Sequence, residues 1–194
     1  MPASSPDLGT AVRDAAQGKR LLVLDYDGTL AYLAIDWPSV RHDLSNVAGA
    51  HGFKSEFRPL WDEIARFRDL RGPEMLPLIF RVLRRHEEIG LDGQRPRADV
   101  VEAARFAAAD TGAGTVVLSL NLRATVESGL AAVGLRSVSA IVGADDVEHW
   151  KPDPEGLNLL LVRAGVEPGQ ALLVGDSHRD AGAAAAAGVD FFRV

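Results

Sequence analysis

The run Leu21-Leu22-Val23-Leu24 ends abruptly in Asp25-Tyr26-Asp27-Gly28-Thr29-Leu30, and few folds accommodate that junction. Four consecutive aliphatic side chains without polar alternation predict a short strand buried on both faces, as in the middle of a parallel sheet. At the strand period of two, Asp25 and Asp27 project to one side while Tyr26 points to the other. Two carboxylates crowded at the end of an apolar strand repel one another unless a cation or a shared proton compensates. The rest of the chain is read for what could supply that compensation.

Downstream, β-branched and aliphatic runs at Thr115–Leu118, Val138–Val142 and Ala171–Val174 predict three more strands, with a last short one near Phe191–Val194. Helical patterns separate them: Pro96–Ala109, Arg123–Val133, a helix from the Lys151-Pro152-Asp153-Pro154 turn to about Ala164, and His178–Ala187 before Gly188. Alternation of this kind is the pattern of a parallel sheet with crossover helices on both faces, an α/β Rossmann-like three-layer α/β/α architecture. Between the first strand and the rest lies an insertion with helical periodicity only. Its helices are expected from Asp36 to Ala48, from Lys54 to Arg71 (Phe57, Leu60, Trp61, Ile64, Phe67, Leu70) and from Met75 to Glu88, with Gly90 ending the last. The expected organisation is an N-terminal extension over 1–19, a loose lead-in with a short helix near Leu8–Gln17. A core follows over 20–35 and 98–194, with an all-helical insertion over 36–97.

Composition narrows the function classes. A net charge of −6 with no basic stretch argues against a nucleic-acid partner, and no cysteine is present for a disulfide or a thiolate metal site. No apolar run reaches the length of a membrane span, and the N-terminus lacks a basic start and apolar core, so a cytoplasmic location is expected. Nothing in the sequence assigns an oligomeric state.

In open parallel sheets ligands bind at the carboxyl ends of the strands. That edge is where the polar signals fall: Asp25 and Asp27, then Ser119-Leu120-Asn121, then Lys151 in the loop after the third strand, then Gly175-Asp176-Ser177 and Asp180. Carboxylates and one lysine converging there suit a hard cation and a phosphate. Mg²⁺ takes oxygen ligands and is commonly held by one or two carboxylates plus substrate phosphate.

These four segments, in this order, resemble the haloacid dehalogenase superfamily on its phosphatase side. Asp25-Tyr26-Asp27-Gly28-Thr29-Leu30 is similar to that family's DxDGTL motif, Ser119 to its second, Lys151-Pro152-Asp153-Pro154 to its third and Gly175-Asp176-Ser177-His178-Arg179-Asp180 to its GDSxxD motif. The insertion lies where the family carries a helical cap that closes over the site, although no cap motif matches. The resemblance implies that Asp25 is a nucleophile forming an aspartyl-phosphate and that Asp27 is the acid and base. Lys151 would neutralise the Asp25–phosphate pair. Mg²⁺ would be held by Asp25, the Asp27 carbonyl, Asp176 and Asp180. Gly28, Ser119, Leu120, Asn121 and Lys151 would hold the phosphoryl oxygens, Ser119 through its hydroxyl and a neighbour through a backbone N–H. The implied activity is hydrolysis of a small phosphorylated metabolite. A phosphomutase acting on a sugar phosphate uses the same residues, and a non-catalytic binding protein would be expected to lack one of them.

Each motif also has a bland reading. Gly-Asp-Ser alone is a helix N-cap, Lys-Pro-Asp-Pro a turn before a helix, and Ser119 a strand-end hydroxyl; it is their order on successive strand ends that argues for chemistry. His149 and Trp150 read as an ordinary loop pair, His178 as exposed, and the histidines 42, 51 and 86 lack zinc spacing. Phe57, Trp61 and Phe67 read as packing within the insertion, and its arginines as a solvated face. Asp27 argues against dehalogenase chemistry, and Lys54 is the single lysine available in the insertion for the family's Schiff-base hydrolases.

Overall fold

A computed structural model describes residues 7–194, so the first six residues of the expected N-terminal extension lie outside the described residues. The chain divides into two compact units, one running to Tyr32 and resuming over Arg95–Val194, the other Leu33–Gln94.

The first unit is built on a parallel sheet of β1 (Leu21–Leu24), β4 (Gly114–Leu118), β5 (Ala140–Val142), β6 (Ala171–Gly175) and β7 (Asp190–Arg193), in the order β5-β4-β1-β6-β7. β1 lies in the centre, Val23 beside Val116 on one flank and beside Leu173 on the other. All four of its residues are buried, as an uninterrupted apolar run with neighbours on both sides requires. Its flanking helices are α1 (Leu8–Ala15), α5 (Ala98–Thr111), α6 (Arg123–Ala132), α7 (Glu155–Ala164) and α8 (His178–Ala187). Strand order reverses direction about β1, so β4 and β6 leave it on opposite sides and their carboxyl ends frame a crevice.

The short helix expected near Leu8–Gln17 is present as α1, and it is packed where a loose lead-in was expected. α1 lies on α5, Val12 and Ala16 are completely buried, and Arg13 pairs with Asp110 at 2.8 Å. A two-residue antiparallel pair, β2 (Ala31–Tyr32) with β3 (Arg95–Pro96), was also unexpected. It brings the two ends of the intervening segment together, and each boundary of the second unit falls three residues earlier than the expected 36–97. Arg97 therefore belongs with the sheet.

The second unit contains α2 (Trp37–Ala50), α3 (Leu60–Arg71) and α4 (Leu76–Asp92), the last entered through a 3₁₀ turn at Pro73–Met75. Asp36 caps α2 by accepting from the Ser39 N–H, and Arg71 donates to the His51 and Gly52 carbonyls just past its end. The helix expected from Lys54 begins only at Leu60. Pro59 offers no N–H to a preceding turn, and Phe57 sits at φ +51°, outside helical space. Phe57 matched the helical spacing because it is a core residue: it reaches the interior from the loop and meets Phe53 edge-on at 6.1 Å. Gly90 does not end α4 as expected, because the helix runs on to Asp92. A Cβ at Gly90 would lie 2.8 Å from Ile35 Cγ1, so the glycine serves close packing there.

Candidate active site

β1 delivers Asp25 into the crevice, its backbone N–H still in register with the Val174 carbonyl at 3.0 Å. The chain then turns tightly: the Tyr26 carbonyl accepts the N–H groups of Thr29, Leu30 and Ala31, and Gly28 donates to the Ala31 carbonyl at 2.7 Å. Gly28 has φ +89°, and a Cβ there would fall 2.3 Å from Asp176 Oδ2. The glycine is required twice over, once by the backbone and once by the carboxylate pressed against it. Thr29 closes the turn by donating from Oγ1 to Asp25 Oδ2 at 3.0 Å.

Lys151 reaches the same point from the loop after β5. Its side chain is buried, and its Nζ donates to Asp25 Oδ1 at 2.7 Å, Asp180 Oδ1 at 2.5 Å and the Leu118 carbonyl at 3.2 Å. That uses all three ammonium protons. Burial works against the charge, but Asp25 and Asp180 more than offset it and hold the lysine above its ordinary value. The loop is anchored by Trp150, whose buried ring donates from Nε1 to the Ala144 carbonyl, and by Arg179 on the Lys151 carbonyl at 3.0 Å. Trp150 is thus a support for Lys151, beyond the ordinary loop residue the sequence suggested. His149 does read as expected, paired with Glu155 at the start of α7.

β6 contributes Gly175 and Asp176, and α8 contributes Asp180. Ser177 caps α8 by accepting from the Asp180 N–H, while Asp180 Oδ2 accepts from the Ser177 N–H and hydroxyl, a reciprocal capping box. A Cβ at Gly175 would lie 2.7 Å from Asp180 Cγ, so the strand end must be glycine for Asp180 to fit. Both Asp180 oxygens are therefore occupied, one by Lys151 and one by the helix cap. Arg193 donates to the Asp176 carbonyl at 2.6 Å.

Asp25, Asp176 and Asp180 each present a carboxylate oxygen within 4.8 Å of the others. One lysine faces them, and two of the three, Asp25 and Asp176, are shifted upward. Burial is the main cause that pushes Asp25 up to about 7, with Asp180 adding to it against the pull of Lys151. Asp176 is raised too, first by burial and then by Asp180. An oxygen-only donor set with excess negative charge is what a hard divalent cation satisfies, so the residues fit Mg²⁺. Asp25 accepts one hydrogen bond on each oxygen and so keeps lone pairs for it, as Asp176 does, while Asp180 accepts three and keeps one, on Oδ1. The Asp27 side chain lies outside this carboxylate group, in the turn that follows Asp25.

At the end of β4, Ser119 is buried. Its hydroxyl donates to Asn121 Oδ1 and accepts from the Asn121 N–H, both at 3.1 Å. Of the residues expected to hold phosphate, Gly28 and Asn121 thus have their N–H groups committed, to Ala31 and to Ser119. The Leu120 N–H is a donor there, Ser119 Oγ becomes one when its hydroxyl turns away from Asn121 Oδ1, and Lys151 must exchange one of its three protein acceptors to join them. The loop is pinned by Asp145, which accepts from the Arg123 N–H at 2.7 Å, and by Asp146, which accepts from Arg123 Nε at 3.0 Å. These acids after β5 are wiring.

Arg97 escaped the sequence reading. It donates from Nη1 to the Gly28 carbonyl at 3.1 Å and so ties the nucleophile loop to the start of α5. No local pattern announces it; the signal is an arginine flanking the return of the chain to the sheet.

Comparison with known proteins agrees with this arrangement. Residues 62–194 match the family model described as haloacid dehalogenase-like hydrolase, a range that includes the second, third and fourth motifs. Pyrophosphatase PpaX of Bacillus velezensis is 42% identical over 65 residues, 33% of this chain and 30% of that protein. A phosphoglycolate phosphatase of Salmonella paratyphi A is 52% identical over 50 residues, 26% of this chain and 20% of that one. The chain thus matches less than a third of the length of either curated relative. Among solved structures, a haloacid dehalogenase-like hydrolase of Bacteroides fragilis superposes with TM-score 0.64 at 25% identity, covering 89% of this chain and 86% of the other. Sheet order, strand-end motifs and a family match across more than half of the sequence converge, and the chain belongs to the haloacid dehalogenase-like hydrolase family.

Proposed function

We propose that the chain is a Mg²⁺-dependent phosphatase that hydrolyses a small phosphorylated metabolite through an aspartyl-phosphate at Asp25. The observation that carries the reading is the buried contact of Lys151 with Asp25 at 2.7 Å, in a group where Asp176 offers a second carboxylate. A carboxylate alone is a weak nucleophile, so charge neutralisation and positioning must supply most of the acceleration. The fit of the donors supports Mg²⁺ on Asp25 and Asp176, with the Asp27 carbonyl as a further ligand and Asp180 holding Lys151 behind them. When bound, the cation supplies charge neutralisation at the phosphoryl oxygens.

The residues divide the work. An Asp25 oxygen forms a bond to phosphorus as the ester P–O bond breaks, and Asp27 gives its proton to the departing oxygen. Lys151 offsets the charge gathered between Asp25 and the phosphoryl group, while Ser119 Oγ and the Leu120 N–H hold phosphoryl oxygens. Asp27, now ionised, takes a proton from water as the water oxygen bonds to phosphorus. The Asp25–phosphorus bond breaks and inorganic phosphate leaves. The names of the two curated relatives, a pyrophosphatase and a phosphoglycolate phosphatase, support a small phosphorylated substrate.

The test is phosphate release from p-nitrophenyl phosphate and a phosphometabolite panel, with Mg²⁺ or with EDTA. Turnover that requires Mg²⁺ and vanishes in Asp25→Asn is the expected result. Retained turnover in that variant, or isomerised sugar phosphate without released phosphate, would refute it.

A further inference from the structure

The β2–β3 pair carries an arrangement that the hydrolytic cycle leaves unused. Tyr32 lies directly opposite Arg95, so the two side chains share a face, and Arg97, two residues further on, lies on that face too. The guanidinium carbons of Arg95 and Arg97 sit 5.9 and 5.7 Å from the Tyr32 ring centre. Two like charges on one exposed ring repel each other, and Asp99, 3.3 Å from Arg97, stands beside one of them as a partner.

The face is joined to the reacting edge. Arg97 donates to the Gly28 carbonyl, and Gly28 is the residue against which the Asp176 carboxylate is packed. Other arginines of this edge are committed to backbone: Arg193 to the Asp176 carbonyl and Arg179 to the Lys151 carbonyl. Arg95 differs. It is exposed, and among the described residues no carboxylate or carbonyl accepts from its guanidinium.

Charge gives that cation a use. Asp25, Asp176 and Asp180 outnumber Lys151 beside the reacting phosphate, and their carboxylates repel any further anion brought close to them. A substrate with a second anion beyond its phosphate would be repelled there unless positive charge met it. An arginine held over an aromatic ring is a planar fork suited to a carboxylate or phosphate.

We propose that Arg95, backed by Arg97, forms a subsite for a second anionic group of the substrate, a carboxylate or phosphate a few bonds from the reacting phosphorus. Lys151 and the carboxylate cluster receive the reacting phosphate, and the β2–β3 face receives the other charge. The assignment of the reacting group rests on the phosphatase reading above, and the experiment separates the two.

Calorimetric titration with Mg²⁺ compares phosphonoacetate, which has both anions, with methylphosphonate, which has one; neither is turned over. Phosphonoacetate should bind roughly tenfold tighter to the wild-type chain. Arg95→Met should abolish that preference without changing methylphosphonate affinity, and Arg95→Lys should restore part of it. Equal affinities in the wild type, or an equal loss for both ligands in Arg95→Met, overturn the subsite. In parallel, kcat/KM of Arg95→Met should fall about tenfold for 2-phosphoglycolate and stay level for ethyl phosphate. Absence of turnover with either substrate would count against the phosphatase reading while the calorimetry still decides the subsite.

Discussion

Replacing Asp25 by asparagine should abolish turnover and yet stabilise the metal-free protein at neutral to alkaline pH. Asp25 is buried beside Asp180, with one lysine between them, and its carboxyl is raised from 3.8 to about 7. A folded value above the unfolded one means that the folded state keeps a proton the unfolded chain releases. The associated stability is complete below pH 3.8 and is lost as pH rises through about 7. The whole loss corresponds to roughly 4 kcal/mol, of which roughly 3 kcal/mol falls between pH 5 and pH 8. The introduced amide titrates nowhere in that range, keeps an oxygen for Lys151, and leaves Lys151 and Asp180 as a balanced pair. It gives up the charge-assisted part of the lysine contact, so we expect a net gain of about 1–3 kcal/mol at pH 8. For a chain of this size that raises Tm by several degrees. Thermal and urea denaturation in EDTA, from pH 5 to pH 8, should show the wild-type curve falling away from the Asp25→Asn curve. Adding Mg²⁺ should close the gap, since the cation favours ionised Asp25. Parallel curves for the two proteins across that range would refute the claim that burial beside Asp180 raises the Asp25 carboxyl.

The remaining predictions test the supports of the site. Asp27→Asn should lower kcat by roughly 10²- to 10⁴-fold while leaving the Mg²⁺-induced rise in Tm intact, because its side chain lies outside the carboxylate group. Lys151→Met should cost about 3–5 kcal/mol in urea denaturation by leaving Asp25 and Asp180 buried without their cation. Gly28→Ala should lose about 1–3 kcal/mol and most of its Mg²⁺ response in thermal shift, since its Cβ would meet Asp176 Oδ2 at 2.3 Å with φ at +89°. Gly143→Ala should destabilise by about 3 kcal/mol or more, because its Cβ would lie 2.3 Å from the Arg123 backbone nitrogen, which no rotamer change can move aside.

What the sequence reveals about this molecule follows a physical division. Strand β1, the sheet class and the residues at the strand ends are legible because each depends on a contiguous run: an apolar stretch, then polar residues and glycine. The pair β2–β3 is two residues long on each side, too short for any periodicity, and it depends on two segments far apart in the chain meeting. Phe57 misleads for the opposite reason. Its apolar character reports burial, which helical spacing shares with a loop side chain turned inward at φ +51°. Arg97 and Trp150 are invisible because what ties them to the site is a hydrogen bond to a backbone carbonyl, at Gly28 and at Ala144, which leaves no mark on neighbouring residue types.

Asp180 shows why bland and functional readings of one motif need not compete. Ser177 and Asp180 stand three residues apart, as an N-cap and the third residue of a helix must for their side chains and N–H groups to exchange hydrogen bonds. The cap uses Oδ2 and leaves Oδ1 aimed at Lys151, 2.5 Å away. The helix start thus fixes the carboxylate that holds the lysine that faces Asp25. The capping geometry accounts for the spacing of the motif, and the lysine accounts for an acid at the third helical residue where a neutral Gln would also cap. A test follows from that separation. Asp180→Asn keeps one oxygen, which can accept at the cap while its NH2 turns toward Lys151, and it removes one negative charge, so α8 should keep its protection in hydrogen exchange. With one anion fewer beside it, the Asp25 carboxyl should fall from about 7 toward its ordinary range, and the pH-dependent stability loss described above should shift to lower pH in the same direction. Loss of α8 protection in that variant would show that the cap needs the second carboxylate oxygen as well as the first.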